Sequence, residues 1–557
     1  MRFLAALLAT VAFAGEVTTE RLNNAKAEPQ NWLSYYGTYD AWRYSELDQI
    51  NRSNISKLAP VWAFETGVPE GGMQSTPLVV DGVMYTTSAL NKIFALDAAT
   101  GERKWTYSYN FADKGAIPPL YGTWNRGVAI WEGLLFMGTV DNHVVAVDAE
   151  TGREVWDVEV EDARQCGCSI TGAPLVAKGM VITGVTGGDS AHRGYLNAFD
   201  AKTGRHLWRF WTIPATGEPG NETWEGDSWK LGGGSTWMTG TYDSELDSIY
   251  WGVGNPAADF WGGDREGSNL YTESIVALDP ETGKVKWHYQ EIPHDVWDYD
   301  SAYEIVLLDM EIKGRQHKVI LNPNKSGYVW ILDRTNGDFL GAWPLIKHSN
   351  WVQGIDEDGN LVGRNEPEPG VQTLICPAIG GGRSWNHGAY SPDTGWFYST
   401  GLEWCQQLTV ARQQGELGQG FFGGEFQVAH PPGEDAYAHL SAYDPRTGER
   451  KWQYRTKYPL LASQLATAGG LLFTGDAQGR FFALDQDSGQ ELWSFRTGSG
   501  HRGSAVTYSV DGRQYIATPS GWGSALAGLS SQLWPELADA PPGSSVFVFA
   551  LPKELAQ

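Results

Sequence analysis

The sequence is poor in cysteine, in charge and in long apolar runs. Four cysteines occur in 557 residues, and none stands in a C-x-x-C-H haem-attachment signature. Charged residues make up 19%, and 41 bases face 66 acids, for a formal net charge of −25. So acidic a chain argues against nucleic acid and anionic membrane surfaces as partners; it suits a basic protein or a cationic ligand. Beyond the N-terminus no stretch is apolar enough to span a membrane. The one apolar run, in "MRFLAALLATVAFAGE", follows a single Arg and ends in Ala-Phe-Ala. It reads as an export signal over residues 1–14, cut after Ala14, and implies a periplasmic protein. No cysteine follows the cut, which argues against a lipid anchor. Export places the cysteines where disulfides persist.

Glycine (68) and tryptophan (26) are abundant, which suits a β-rich protein with many tight turns and not a disordered one. One pattern recurs: "ALDAATGERKW" (95–105), "AVDAETGREVW" (146–156), "AFDAKTGRHLW" (198–208), "ALDPETGKVKW" (277–287), "ILDRTNGDFLGAW" (331–343), "AYDPRTGERKW" (442–452) and "ALDQDSGQELW" (483–493). Each copy reads strand, turn, strand. Asp and Thr bond their own backbone, Gly takes a positive φ, and Trp lies in the second strand. Successive aspartates lie 51, 52, 79, 54, 111 and 41 residues apart. Strand repeats of this period predict propeller blades, with one Trp per blade docking on its neighbour. "SPDTGWFYS" (391–399) is expected to be a degenerate eighth copy, giving an all-β, eight-bladed β-propeller. "SSVFVFALP" (544–552) alternates like a strand and is expected to close the ring with the N-terminal segment. Residues 15–557 then form one domain, with its site at one end of the central channel.

Residues 293–302, "PHDVWDYDSA", set Asp295, Asp298 and Asp300 among aromatics. On extended backbone Asp298 and Asp300 point to one face. Two half-buried like charges repel and lose hydration. A bound metal ion or a solvated turn would each relieve them.

The blade motif, with "SITGAPLV", "TGGDSAHRGYLNAFD", "GGGSTW", "GVGNP", "WDYD", "NKSGYVWILDRTNG" and "CPAIGGGRSWN", resembles the quinoprotein alcohol dehydrogenases over residues 30–552. That resemblance implies pyrroloquinoline quinone (PQQ), a calcium or lanthanide ion, and oxidation of a primary or secondary alcohol. It assigns Asp189, Asn255, Asp298 and Asp300 to the metal. Asp300 matches the additional acid of lanthanide-using members. It implies Asp298 as general base, and Lys325 as the cation on the quinone oxygen that receives charge. Around PQQ it places Gln74, Arg126, Thr171, Thr186, Gly187, Gly188, Trp237, Lys325, Ser384 and Trp385. A flat tricarboxylate needs such an aromatic floor and fixed donors, and a hard cation needs such oxygens. With no haem of its own, the chain is expected to pass electrons to a separate, soluble cytochrome c with a basic face.

The sequence departs from the family at several points. Leu120 and Tyr121 stand where two adjacent cysteines often form a vicinal disulfide over PQQ; Leu120 or Tyr121 is expected to cover the ring instead. Alternatively Cys166 and Cys168, close before Thr171, approach the cofactor as a small, strained disulfide ring; two free thiols, or two zinc ligands without partners, are the other readings. The resemblance implies a Cys376–Cys405 disulfide. Gln74 replaces a Glu, Asp189 a longer Glu, and Ser384 an Asn. His192, His294 and His387 flank the site motifs as supporting residues. Two other functions compete: a sugar- or polymer-alcohol dehydrogenase of the same chemistry, its choice set by rim loops 212–231, 345–375 and 403–435, and a non-catalytic scaffold propeller.

Overall fold

A computed structural model describes residues 16–110 and 122–555. The signal segment ending at Ala14 and the pair Leu120 and Tyr121 lie outside the described residues. Among those described, no helix is long and apolar enough to cross a membrane.

The D-x-x-T-G segments are hairpin turns. In the first, the Asp97 carboxylate accepts N–H bonds from Ala99 (3.1 Å) and Thr100 (3.0 Å) and the Thr100 hydroxyl (3.0 Å). Gly101 follows at φ +76°, where only glycine is unstrained. Such a turn joins the third and fourth strands of a sheet: Lys92–Asp97 pairs antiparallel with Arg103–Ser108. The first and second strands are Leu78–Val80 and Val83–Ser88.

Eight sheets of this kind follow around the chain. The seventh carries an additional short parallel strand, Tyr44–Ser45 against Leu465–Thr467. The eighth joins the chain's two ends: Ser545–Ala550 pairs antiparallel with Ala59–Glu65, as expected for ring closure. Inner strands are almost wholly buried, whereas the outer ones are largely open to solvent.

Tryptophans knit the ring. The indole N–H of Trp105 donates to the Ala149 carbonyl of the next sheet (3.1 Å), Trp156 to Ala201 (3.1 Å), Trp208 to Pro280 (2.8 Å), Trp343 to Pro445 (3.1 Å) and Trp452 to Gln486 (2.8 Å). Trp287 closes over Gly337. Trp493 donates to Leu58 (3.1 Å), and Trp62 to Ala98 (3.3 Å), so the eighth contact returns to the first sheet.

"SPDTGWFYS" is not the eighth copy. It is the turn between the first two strands of the sixth sheet, Ala389–Ser391 and Trp396–Glu403. The eighth docking residue is Trp62, in "APVWAFE" (59–65). No D-x-x-T-G precedes it because the eighth sheet's third and fourth strands come from opposite ends of the chain.

Because the D-x-x-T-G turns occupy one end of the ring, the loops between sheets, and between second and third strands, gather at the other. Two small sheets and a helix decorate that end. In one, Cys405–Val410 pairs with both Thr373–Ile375 and Gly424–Ala429; in the other, Gly354–Ile355 pairs with Leu361–Val362. The helix, Ala525–Leu533, is capped by Ser524, whose hydroxyl accepts the Ala527 N–H (3.0 Å). Disulfides join Cys376 to Cys405 and Cys166 to Cys168.

Candidate active site

The loops at that end surround a cavity of roughly 240 Å³ that opens to solvent. Thirteen of the residues expected at the site line it: Gln74, Arg126, Thr171, Thr186, Gly187, Gly188, Asp189, Trp237, Asn255, Asp300, Lys325, Ser384 and Trp385. Asp298 lies just behind, bonded to Lys325. His192, His294 and His387 do not line it. His192 holds the Thr186 carbonyl (3.1 Å), His294 meets the Gly267 carbonyl (2.9 Å), and His387 lies between Glu304 and Tyr35.

One end of the cavity is cationic. Arg126 donates to the Thr171 hydroxyl (2.5 Å) and lies over the rings of Trp237 (5.0 Å) and Trp385 (4.7 Å). Arg502 lies over the same Trp385 ring at 5.4 Å and donates to Asn386 Oδ1 (3.3 Å). Neither guanidinium forms an ion pair among the described residues, and each has a buried Nε without a partner. Burial pulls Arg126 down to about 10. Burial, with Arg126 as neighbour, pulls Arg502 to about 9. Two buried, unneutralised cations beside an aromatic face call for an anion.

The other end is acidic. Lys325 Nζ donates to Asp298 Oδ2 (2.7 Å) and Asp300 Oδ2 (3.1 Å). Asp300 Oδ1 accepts from the Trp237 indole (3.3 Å) and the backbone N–H of Asn255 (3.4 Å). Burial raises Asp189 to about 6 against the pull of Lys325. Burial also raises Asp298, again opposed by Lys325. For Lys325 burial works against the charged form, but contact with Asp298 and Asp300 outweighs it and keeps the ammonium protonated.

The "WDYD" backbone is built, not merely extended. Asp298 takes φ +64°, a left-handed conformation costly for a non-glycine residue. Asp295 holds it there: its carboxylate accepts the N–H groups of Trp297 (3.1 Å), Asp298 (2.9 Å) and Tyr299 (3.2 Å). Thus the three acids divide the labour: Asp295 makes the turn, while Asp298 and Asp300 face Lys325.

Some site residues escaped the sequence reading. Arg502, Trp124, Ser235 and Tyr303 line the cavity, as do Ile379, Ala525, Leu526 and Leu529. Asp259 brings a carboxylate oxygen within 4.8 Å of Asp189 and Asp298. Arg502 belongs to the loop before the eighth sheet, the same kind of loop that carries Arg126, a topological signal that local motifs do not contain. The expectation that Cys166 and Cys168 approach the ligand is corrected. They are bonded, but pack against Val185 and Tyr195 and do not line the cavity.

The donor set fits PQQ and a hard cation. The Nε atoms of Arg126 and Arg502 and Gln74 Oε1, on residues that line the cavity, are buried without partners, as are Asp298 Oδ1 and Asp259 Oδ2 beside Asp189. Gly188 leaves the space in which the Asn255 amide sits; a Cβ there would collide with Asn255 Oδ1.

Comparison with known proteins agrees with this chemistry. The family described as "PQQ: Glucose/ethanol/alcohol dehydrogenase, beta-propeller domain" matches residues 32–347 and 455–516. The quinoprotein alcohol dehydrogenase PedH of Pseudomonas putida is 35% identical over 580 residues, covering 100% of this chain and 96% of that protein. The lanthanide-dependent methanol dehydrogenase of Methylacidiphilum fumariolicum is 34% identical, over 93% of this chain and 90% of that one. A solved europium-containing methanol dehydrogenase superposes with a TM-score of 0.89 at 33% identity, over 96% of this chain and 100% of that chain.

Proposed function

Since the chain belongs to the family of PQQ-dependent alcohol dehydrogenase propellers, we propose the residue roles, substrate preference and electron route that follow. It is an enzyme that oxidises alcohols with PQQ and a calcium or lanthanide ion. A single observation carries the proposed roles: the unneutralised buried guanidiniums of Arg126 and Arg502 line the same cavity as the carboxylates of Asp189 and Asp300.

Arg126 and Arg502 hold the carboxylates of PQQ, with Trp237 and Trp385 as aromatic walls. Asp189, Asn255, Asp298 and Asp300 hold the ion. When bound, PQQ supplies a quinone that accepts hydride from the carbinol carbon, and the ion supplies a Lewis acid. Asp298 takes the hydroxyl proton; its Oδ1 is the oxygen left free when Lys325 engages Oδ2. Lys325 fixes Asp298 and stabilises negative charge developing beside it.

Ile379, Ala525, Leu526 and Leu529 give the cavity an apolar wall. That wall supports small or apolar alcohols over sugars and polyols, whose hydroxyls it leaves unpaired. The acidic surface supports a basic cytochrome c as the electron acceptor. The two disulfides support export to the periplasm, with cleavage after Ala14.

The purified chain is to be reconstituted with PQQ and either calcium or a light lanthanide, and dye reduction followed across alcohols. Turnover is expected, with short primary alcohols preferred and Asp298→Asn inactive. Absence of turnover with every metal would overturn the assignment, and turnover surviving Asp298→Asn would remove Asp298 as base.

A further inference from the structure

Asp259 has no role in the site as assigned above, yet it lies against Asp189, Asn255 and Asp298. It follows Asn255 in "GVGNPAADF", in the long loop between strands Ser248–Gly252 and Ser274–Leu278 of the fourth sheet. It is fully buried. Its Oδ1 accepts the Asn255 side-chain N–H at 2.9 Å, the same amide that reaches Asp189 Oδ1 at 3.5 Å. Its Oδ2 is buried and has no partner. Among the described residues no cation pairs with it. The nearby Arg265 directs its two terminal nitrogens to Asn269 Oδ1 (2.8 Å) and to the carbonyls of Ala258 (2.9 Å) and Asp295 (2.5 Å), its Nε has no partner, and it forms no ion pair with Asp259.

A buried carboxylate without a counter-charge is costly, and its neighbours make it worse. One donor oxygen each from Asp189, Asp259 and Asp298 lies within 4.8 Å of the other two. Oxygens so placed can converge on one hard cation at ordinary oxygen–metal distances of about 2.3–2.6 Å. Asp300 is not in that trio. It is turned to Lys325, Trp237 and the Asn255 backbone.

We propose that Asp259 is a direct ligand of the metal ion, and that it sets the site's preference for a trivalent over a divalent cation. The proposal rests on the reading of Asp189, Asn255, Asp298 and Asp300 as a metal site. With Asp259, four carboxylates face one ammonium, Lys325, which leaves three negative charges for the ion to balance. Without it only two remain, the charge of calcium. Asn255 connects the two halves: donating to Asp259 and Asp189, it holds both carboxylates at the spacing the ion requires.

The test uses the full chain loaded with PQQ and titrated with Eu³⁺ or Ca²⁺ in a competing chelator. Direct excitation of Eu³⁺, with decay measured in H₂O and D₂O, counts the waters on the ion. Asp259→Asn is nearly isosteric, and Asp259→Ser is a second variant should the first fail to fold. Both are expected to lose Eu³⁺ affinity by at least about tenfold, as removal of even a supporting ligand does. Both should gain about one coordinated water per lost oxygen, with Ca²⁺ affinity falling less. Unchanged affinity and water count in the folded variants would overturn the proposal. If Asp189→Asn loses Eu³⁺ while both Asp259 variants keep it, Asp259 alone is misassigned and the metal site stands. If the unaltered protein binds Ca²⁺ but not Eu³⁺, the trivalent preference falls and the metal site stands; if it binds neither, both readings fall together.

Discussion

Arg502 shows how a single residue can be placed for a ligand at the expense of the empty protein. Its guanidinium is buried, has no acidic partner among the described residues, and shares the Trp385 ring with Arg126. A side chain kept for stability would be paired; this one is stabilised only when an anion arrives. Replacing Arg502 with Gln is therefore expected to weaken PQQ binding by about 10- to 100-fold, the loss of one charge-assisted hydrogen bond of about 1.5–3 kcal/mol. The melting temperature of the PQQ-free protein is expected to hold or rise, since a buried like-charge neighbour of Arg126 is removed. Tryptophan quenching by PQQ and a thermal melt read the two effects separately. A destabilised protein with unchanged PQQ affinity would make Arg502 structural. Asp298 tells a similar story in its backbone. Its positive φ is held by three N–H bonds to Asp295, so part of the acid cluster exists to shape the rest.

Among elements, the blade hairpins separate turn chemistry from docking. Gly448 ends the D-x-x-T-G turn 444–448 and Gly395 the S-x-x-T-G turn 391–395, with positive φ of +71° and +69°. A Cβ on Gly448 would meet Trp343 at 2.5 Å, whereas a Cβ on Gly395 meets nothing within 4 Å. Gly395→Ala should cost about 1–2 kcal/mol for the backbone alone. Gly448→Ala adds overpacking of about 1–3 kcal/mol. Urea unfolding midpoints of the two variants measure the difference, and equal costs would mean that Trp343 gives way freely. A second element carries acid stability. Glu403 ends the strand Trp396–Glu403 and accepts the N–H groups of Lys347 (2.7 Å) and His348 (2.9 Å). Burial alone would raise it, but His439 and those two amides win and hold it at about 2, below its ordinary 4.5. A depressed acid stabilises the fold above its unfolded pKa, and that stability is lost as pH falls from about 4.5 to about 2. The amount is on the order of 3 kcal/mol. Glu403→Gln should flatten unfolding midpoints across that window. A slope as steep as that of the unaltered chain would clear Glu403 of the role. These hairpins were legible in the sequence because Asp, Thr and Gly bond within a few residues of themselves. The same locality misled at "SPDTGWFYS": an identical kind of turn serves a different pair of strands, and only strand order distinguishes them.

At the scale of the whole molecule, ring closure decides what sequence can and cannot disclose. The docking tryptophans repeat in register, so the propeller is legible; Trp62 is not, because the eighth sheet is assembled from chain ends separated by nearly the whole sequence. The site has the same character. Asp298, Asp300 and Lys325 are found through motif resemblance, whereas Arg502 and Asp259 sit in loops that converge only once the ring is closed. The charge of the ring is a property of composition alone, and it bears on the proposed electron acceptor. A net charge of −25 gives a negative field that steers a basic partner toward the protein and repels an acidic one. Coulomb steering weakens as the Debye length shrinks from about 30 Å at about 10 mM salt to about 8 Å at about 150 mM. For a basic soluble cytochrome c, the second-order rate of its reduction by the substrate-reduced enzyme should therefore fall about tenfold over that range. For an acidic cytochrome c the rate should start lower and rise with salt. Stopped-flow absorbance of the haem follows both. Because the reduced enzyme is prepared before mixing, alcohol oxidation does not enter the measured step. A rate indifferent to salt for both cytochromes would mean that the acidic surface does not guide the encounter, and the acceptor would have to be sought among partners chosen by shape rather than charge.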